Sequence, residues 1–240
     1  MRRERDFFER KFKLDITNRL LAVASFVRNG SYFIDVGTDH AYLPIYLVQN
    51  EKTERALASD INEGPCESAE RHIAECGLSE KISVRKANGL CGISSSGMTD
   101  IAIAGMGGAL IAEILAKADF IKDENVRLIL QPMRNAPDLR RYLCENGFRI
   151  IGESLAREDE RIYEIICAQY CGCAVPYTEL SLLLGEKNME NKKEDPALFN
   201  AFCEKNAAAL TKKINGMQEG GADASAEKAL LSLVLNEKEV

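Results

Sequence analysis

Three acids and one glycine-rich turn hold most of the chemical information in this sequence. Asp35 closes the apolar run "YFIDVG", and Gly37, Thr38, Asp39 and His40 follow where a nucleotide-binding turn would place further glycines. Asp60 closes the next such run, "RALASD" (55–60). An acid there can accept from both hydroxyls of a ribose, or it can cap the helix that follows; spacing alone leaves both open. Asn88, in "KANGL" (86–90), offers an oxygen to an exocyclic amine, although Asn-Gly is also an ordinary turn. "AGMGG" (104–108) has three glycines where a tight turn needs one, so backbone can approach a ligand there.

These features suit an adenosine-bearing cofactor. Without G-x-G-x-x-G there is no glycine-lined helix start to hold a pyrophosphate, which disfavours NAD. Carboxylates attract a sulfonium, so S-adenosylmethionine is the expected cofactor.

The elements that must position these residues alternate along the chain. Residues 15–28 show helical periodicity and stop at Asn29-Gly30. Strands are expected at 32–37, 55–60, 82–87, 100–105 and 126–132, and helices after "DVGTDH" and over 64–77, 108–117 and 136–146. Such alternation predicts an α/β fold, a parallel sheet with helices on both faces. "FRIIGESLARED" and "RIYEIICAQYC" follow with only a turn between, as an antiparallel edge hairpin would. From about residue 174 a linker-like stretch leads to helices over 196–218 and 223–238, separated by Gly220-Gly221, with no further strand. The expected division is a cofactor domain over 1–173 and a helical extension over 174–240, built as an αα-hairpin.

A chain of 240 residues with 46% apolar and 28% charged residues can bury a sizeable core. Its net charge of −6 excludes a basic coat but not a local basic patch. The eight cysteines form no C-x-x-C pair, and with two histidines no zinc site is expected. The start, "MRRERDFFERKFKLD", has no apolar core of a leader, and glycines and Glu113 interrupt the apolar stretch 101–118. A cytoplasmic protein with no membrane span is expected. Oligomeric state is open, with a monomer as the default.

The motifs "DVGTDHAYLP", "SDINEGP", "IAIAGMGG" and "LILQP", in this order and spacing, resemble the bacterial tRNA (adenine(22)-N(1))-methyltransferases. The resemblance covers about residues 15–170 and implies a Rossmann-like class I methyltransferase sheet, with a coiled-coil-like helical extension. It implies S-adenosylmethionine held by Asp35, Gly37, Thr38, Asp60, Ile61, Asn88, Gly89, Ala104 and Gly105. Asp39 corresponds to the family's candidate catalytic aspartate. A carboxylate there can accept from the exocyclic amine of adenine and stabilise charge as N1 is methylated. "AGMGG" and "QPMR" then wall the pocket of an extruded base, through Met106, Gly107, Gln131, Pro132 and Arg134. His40 braces the loop or contacts RNA, the structural role being favoured, and Tyr42 stacks on a base or fills core. Two positions depart from the family, which has an acid at Asn88 and an asparagine at Met133.

The tRNA backbone requires cations. Candidates are Arg2, Arg3, Arg5, Arg10, Lys11 and Lys13, then Arg134, Arg140 and Arg141, and Lys192, Lys193, Lys212 and Lys213 on the extension. Two competing readings are a non-catalytic RNA-binding protein on a methyltransferase fold and, less well supported, an NAD-dependent oxidoreductase.

Overall fold

The structure, a computed structural model, describes residues 14–93, 97 and 99–238. One seven-stranded sheet organises the chain, in the order β3-β2-β1-β4-β5-β7-β6. Strands β1 (Ser31–Val36), β2 (Thr53–Asp60), β3 (Ile82–Lys86), β4 (Asp100–Met106) and β5 (Arg127–Pro132) are parallel. The hairpin of β6 (Phe148–Glu158) and β7 (Arg161–Tyr170) completes the edge, with β7 antiparallel to β5. This is the Rossmann-like methyltransferase sheet that the motifs imply.

Side-chain alternation along the central strands separates the two faces. Ile34, Val36, Ile101, Ile103, Leu128 and Leu130 point to one core, shared with α4 (Gly108–Ala116) and α5 (Ala136–Glu145). Phe33, Ala102 and Ile129 point to the other. That face is covered by α1 (Asn18–Phe26), α2 (Tyr42–Gln49) and α3 (Glu63–Glu75). β2 starts at Thr53 and not at Arg55, because Thr53 already pairs with Ser31 of β1.

The extension departs from the expected linker. Two short helices, α6 (Glu179–Leu184) and α7 (Glu186–Glu190), precede the long pair α8 (Pro196–Glu219) and α9 (Ser225–Asn236). A capping box starts α6, with Thr178 and Ser181 bonding each other's backbone N–H. Six residues are too few to show a helical period, which explains the missed element. A separate apolar cluster of Leu184, Phe199, Phe202, Leu210 and Val234 holds these helices together, and Leu155 and Ile162 of the hairpin pack against it.

Arg140 ties that extension to the sheet, so its assignment as an RNA-binding cation is wrong. Its side chain is 1% exposed and reaches Glu153 and Glu164, each at 2.7 Å. Nη1 donates to the Leu182 carbonyl at 2.9 Å, and the second Glu153 oxygen accepts from the Lys187 N–H at 3.0 Å. A buried cation persists only where carboxylates and carbonyls satisfy it in this way. Arg140→Ala strands the Glu153 carboxylate and should lower the unfolding free energy by about 3–5 kcal/mol in urea titration. An unchanged midpoint would show that this network does not anchor the extension.

Candidate active site

Hydrogen bonds beyond the strand ends bring the motif loops to one edge. Gly37 and Thr38 both donate their N–H to the Ser59 carbonyl, at 2.8 and 2.9 Å. Ala87 N–H donates to the Asp60 carbonyl, Met133 to Met106 and Gly108 to Arg134. The chain leaves β1 towards β2 on one side and returns to β4 on the other, so strand order reverses between β1 and β4, the place where such sheets bind ligands.

Asp35 is the most perturbed acid at this edge. It is buried and has no ion-pair partner among the described residues. Burial pushes its carboxyl from 3.8 up to about 6, against a hydrogen bond from Thr38 and the nearby Arg19 charge, with Asp60 raising it further. Gly37 turns at φ +80°, and a Cβ there would collide with the Met106 methyl group. β4 breaks register between Ala104 and Met106, leaving Gly105 (φ +80°) as a bulge that re-aims Met106. Gly108 is needed for space, since a Cβ would lie 2.4 Å from the Asn135 carbonyl oxygen.

Asp60 is not the cap of α3; that place belongs to Asn62. One Asp60 oxygen accepts from the Asn62 N–H at 2.7 Å, fixing the carboxylate at the strand end. Ile61 beside it is 54% exposed. Asn88 is exposed, and its carbonyl accepts from Cys91 in a turn, while Gly89 packs so closely on Ile114 that a Cβ would clash. Turn and ligand roles are therefore compatible at Asn88, whereas the fold itself requires Gly89.

Asp39 is also no helix cap. Thr38 Oγ1 accepts from the Ala41 N–H at 3.1 Å, and α2 starts after Ala41, which sits in the left-handed region at φ 56°. The Asp39 side chain is 77% exposed, 3.2 Å from His40 Nε2. His40 stacks on Tyr42, itself 40% exposed and so not core, with ring centroids 5.1 Å apart.

One pocket assignment needs correction. Gln131 is fully buried and serves as a strut: Oε1 accepts from Gly105 N–H at 3.0 Å and Arg19 Nη1 at 2.9 Å, while Nε2 donates to the Pro132 carbonyl. Gly107 is half-buried, and a Cβ there would lie 3.4 Å from Arg134 Nε. Pro132, Arg134, Arg161 and Lys205 line an open groove of about 610 Å³.

Arg19 was missed. It occupies the first turn of α1, where the helix dipole disfavours a cation. That misplacement was the available signal; Glu158, Gln131 and the field of Asp35 retain it there.

Among the other cations, Arg141 pairs with Glu179, Lys192 with Glu237 and Lys213 with Glu227, whereas Lys193 and Lys212 are exposed. The N-terminal arginines and lysines up to Lys13 lie outside the described residues. Among the described residues no helix is long and apolar enough to cross a membrane, and no metal-binding cluster occurs.

The raised Asp35 value has a definite consequence for stability. The folded state binds the Asp35 proton more tightly than the unfolded chain, so stability falls as pH rises from about 4 through 6. Asp35→Asn removes that slope. It should stabilise the ligand-free protein by on the order of 2–3 kcal/mol at pH 7.5 and by little below pH 4, in parallel denaturant titrations. A variant less stable than wild type at pH 7.5 would contradict the burial argument.

A methyltransferase domain family model matches residues 16–166. The tRNA (adenine(22)-N(1))-methyltransferase of Bacillus subtilis is 40% identical over 173 residues, spanning 72% of this chain and 73% of that protein. The crystal structure of Streptococcus pneumoniae Sp1610 in complex with S-adenosyl-L-methionine superposes with a TM-score of 0.80 at 37% identity. The match covers 92% of this chain and 100% of that one. B. subtilis TrmK gives a TM-score of 0.76 at 34% identity, over 94% and 96% of the two chains. With the strand-edge acids, the matched domain and a relative of this identity and coverage, the chain belongs to the tRNA (adenine(22)-N(1))-methyltransferase family.

Proposed function

We propose that this protein methylates N1 of adenine 22 in tRNA, with S-adenosylmethionine as donor. One observation carries the reading: a buried carboxylate with no ion pair among the described residues, Asp35, lies beside Asp60 at the strand-order reversal. An edge this negative suits a cationic cofactor and repels a pyrophosphate. The start of α2 is closed by the Thr38 side chain and a left-handed alanine, without the glycine-lined backbone a dinucleotide needs. Both favour methyl transfer over hydride transfer.

The residues present fit the cofactor. Asp35 would meet its positive end, Asp60 and Ile61 its ribose and adenine, and Asn88 the adenine edge, while Arg19, whose charge acts on Asp35, would pair with its carboxylate. Thr38, Ala104 and Gly105 form the surrounding backbone. The bound cofactor supplies an electrophilic methyl group on a sulfonium.

Adenine N1 carries a lone pair, so the protein needs no base to expose it. As the new bond forms, positive charge spreads to the exocyclic amine. Asp39, exposed at the cleft mouth, accepts from that amine, aligns the ring and stabilises the charge. Tyr42, with His40 against it, offers a face for stacking, and Met106, Pro132 and Arg134 border the entry for the base. The extension from 174 onward, with Lys193 and Lys212, together with Arg134, Arg161 and Lys205 in the groove, serves the tRNA backbone. Eight free cysteines and a tRNA substrate support a cytoplasmic location.

The test is methyl transfer from labelled cofactor to unmodified tRNA, with the modified nucleotide mapped. Wild type should label N1 of adenine 22. Asp39→Ala should lower kcat by about 10²-fold while cofactor affinity and Tm stay near wild type, and Asp39→Asn should fall between. No transfer by wild type to any tRNA would favour the non-catalytic RNA-binding reading.

A further inference from the structure

The proposed role of Asp39 makes a demand that Asp39 alone does not meet. An exposed carboxylate on a loop samples many orientations, and ordering it requires partners. One partner is His40, whose Nε2 lies 3.2 Å from Asp39 Oδ2. On the other side of the ring, His40 Nδ1 lies 2.8 Å from Ser68 Oγ, on α3.

The direction of these bonds follows from donor and acceptor chemistry. A carboxylate only accepts, so neutral His40 must carry its proton on Nε2 and present Nδ1 as a lone pair. Ser68 therefore donates its O–H to Nδ1. Arg71, one helical turn further along α3, supports this order. Its Nη2 donates to Ser68 Oγ at 3.3 Å and occupies a serine lone pair.

The ring plane is fixed separately. The His72 Nδ1–H donates to the His40 carbonyl at 3.3 Å, and the His72 ring lies 5.1 Å from His40 and 5.7 Å from Tyr42. Both histidines of the chain thus join one aromatic cluster that α3 supports and the loop after β1 completes. A packed helix thereby sets the side chain of a loop residue.

We propose that Ser68, acting through His40, is a positioning residue for the Asp39 carboxylate, with His72 holding the His40 ring. The inference rests on the reading of Asp39 as the group that meets the target adenine. Ser68 touches neither substrate nor cofactor in this scheme. It holds the His40 ring through Nδ1 and so keeps the Nε2–H pointed at Asp39.

The experiment is a double-mutant cycle in single-turnover methylation of unmodified tRNA, using the full chain. Ser68→Ala should slow the methyl-transfer rate constant by about tenfold, the value of one orienting hydrogen bond. Cofactor Kd and Tm should be unchanged, since alanine suits a helix interior. Ser68→Thr keeps the hydroxyl and should restore most of the rate. In an Asp39→Ala background, Ser68→Ala should add no further loss, because the group it positions is gone. A Ser68→Ala enzyme at wild-type rate, or equal losses in both backgrounds, would overturn the positioning role while leaving Asp39 in place. Full activity of Asp39→Ala would instead overturn the reading on which this inference rests.

Discussion

The parallel pairing of β1 with β4, Phe33–Val36 alongside Asp100–Ile103, is the contact on which the rest of the molecule depends. These strands are far apart in sequence, and the chain between them builds β2, β3 and three crossovers on one side. After β4 it turns the other way to build β5. The loops leaving β1 and β4 therefore diverge, and their ends cannot fill the space between them. Asp35 sits at that divergence, which is why its carboxylate is buried with a hydrogen bond from Thr38 yet has no ion-pair partner among the described residues. The opposite end of the same pair is clamped: Arg28 holds the fully buried Asp100 carboxylate at the start of β4 with its side chain and its own N–H. One end carries a closed ion pair, and the other a buried carboxylate with none among the described residues.

The loops at that end are held rigidly by unusual backbone. Ala41 and Asn135 adopt left-handed conformations at the starts of α2 and α5, and β4 bulges at Gly105. A non-glycine residue there costs about 1–2 kcal/mol, which the surrounding packing must offset. Gln131 fixes the β4 bulge by accepting from the Gly105 N–H and from Arg19 at once. The site thus joins backbone from β4, a side chain from β5 and a cation from α1, so a change in one is transmitted to the others.

Much of this was legible in the sequence because each signal was local. Apolar runs ending in Asp35 and Asp60, and glycines at 105, 107 and 108, marked strand ends without reference to anything distant. The long helices showed through their period, and only the short α6 and α7 did not. What stayed hidden was partnership across the chain. Arg140 reads as a surface cation until Glu153 and Glu164 are placed around it, and Gln131 reads as a pocket wall until its buried bonds are seen. Arg19 and Ser68 lie on helices whose periodicity conveys only which face is apolar. Nothing in their spacing says that one reaches Gln131 and the other His40.

The account turns on a buried carboxylate being compensated by a cationic cofactor, and calorimetry of S-adenosylmethionine binding near pH 6 tests that link most directly. Burial pushes the Asp35 carboxyl up to about 6, and a nearby positive charge lowers that value. Binding at pH 6 should therefore release protons, seen as a heat that differs between buffers of unequal ionisation enthalpy. Affinity should rise between pH 5 and pH 7, and both effects should vanish in Asp35→Asn. Equal heats in all buffers with wild-type protein would contradict the central claim.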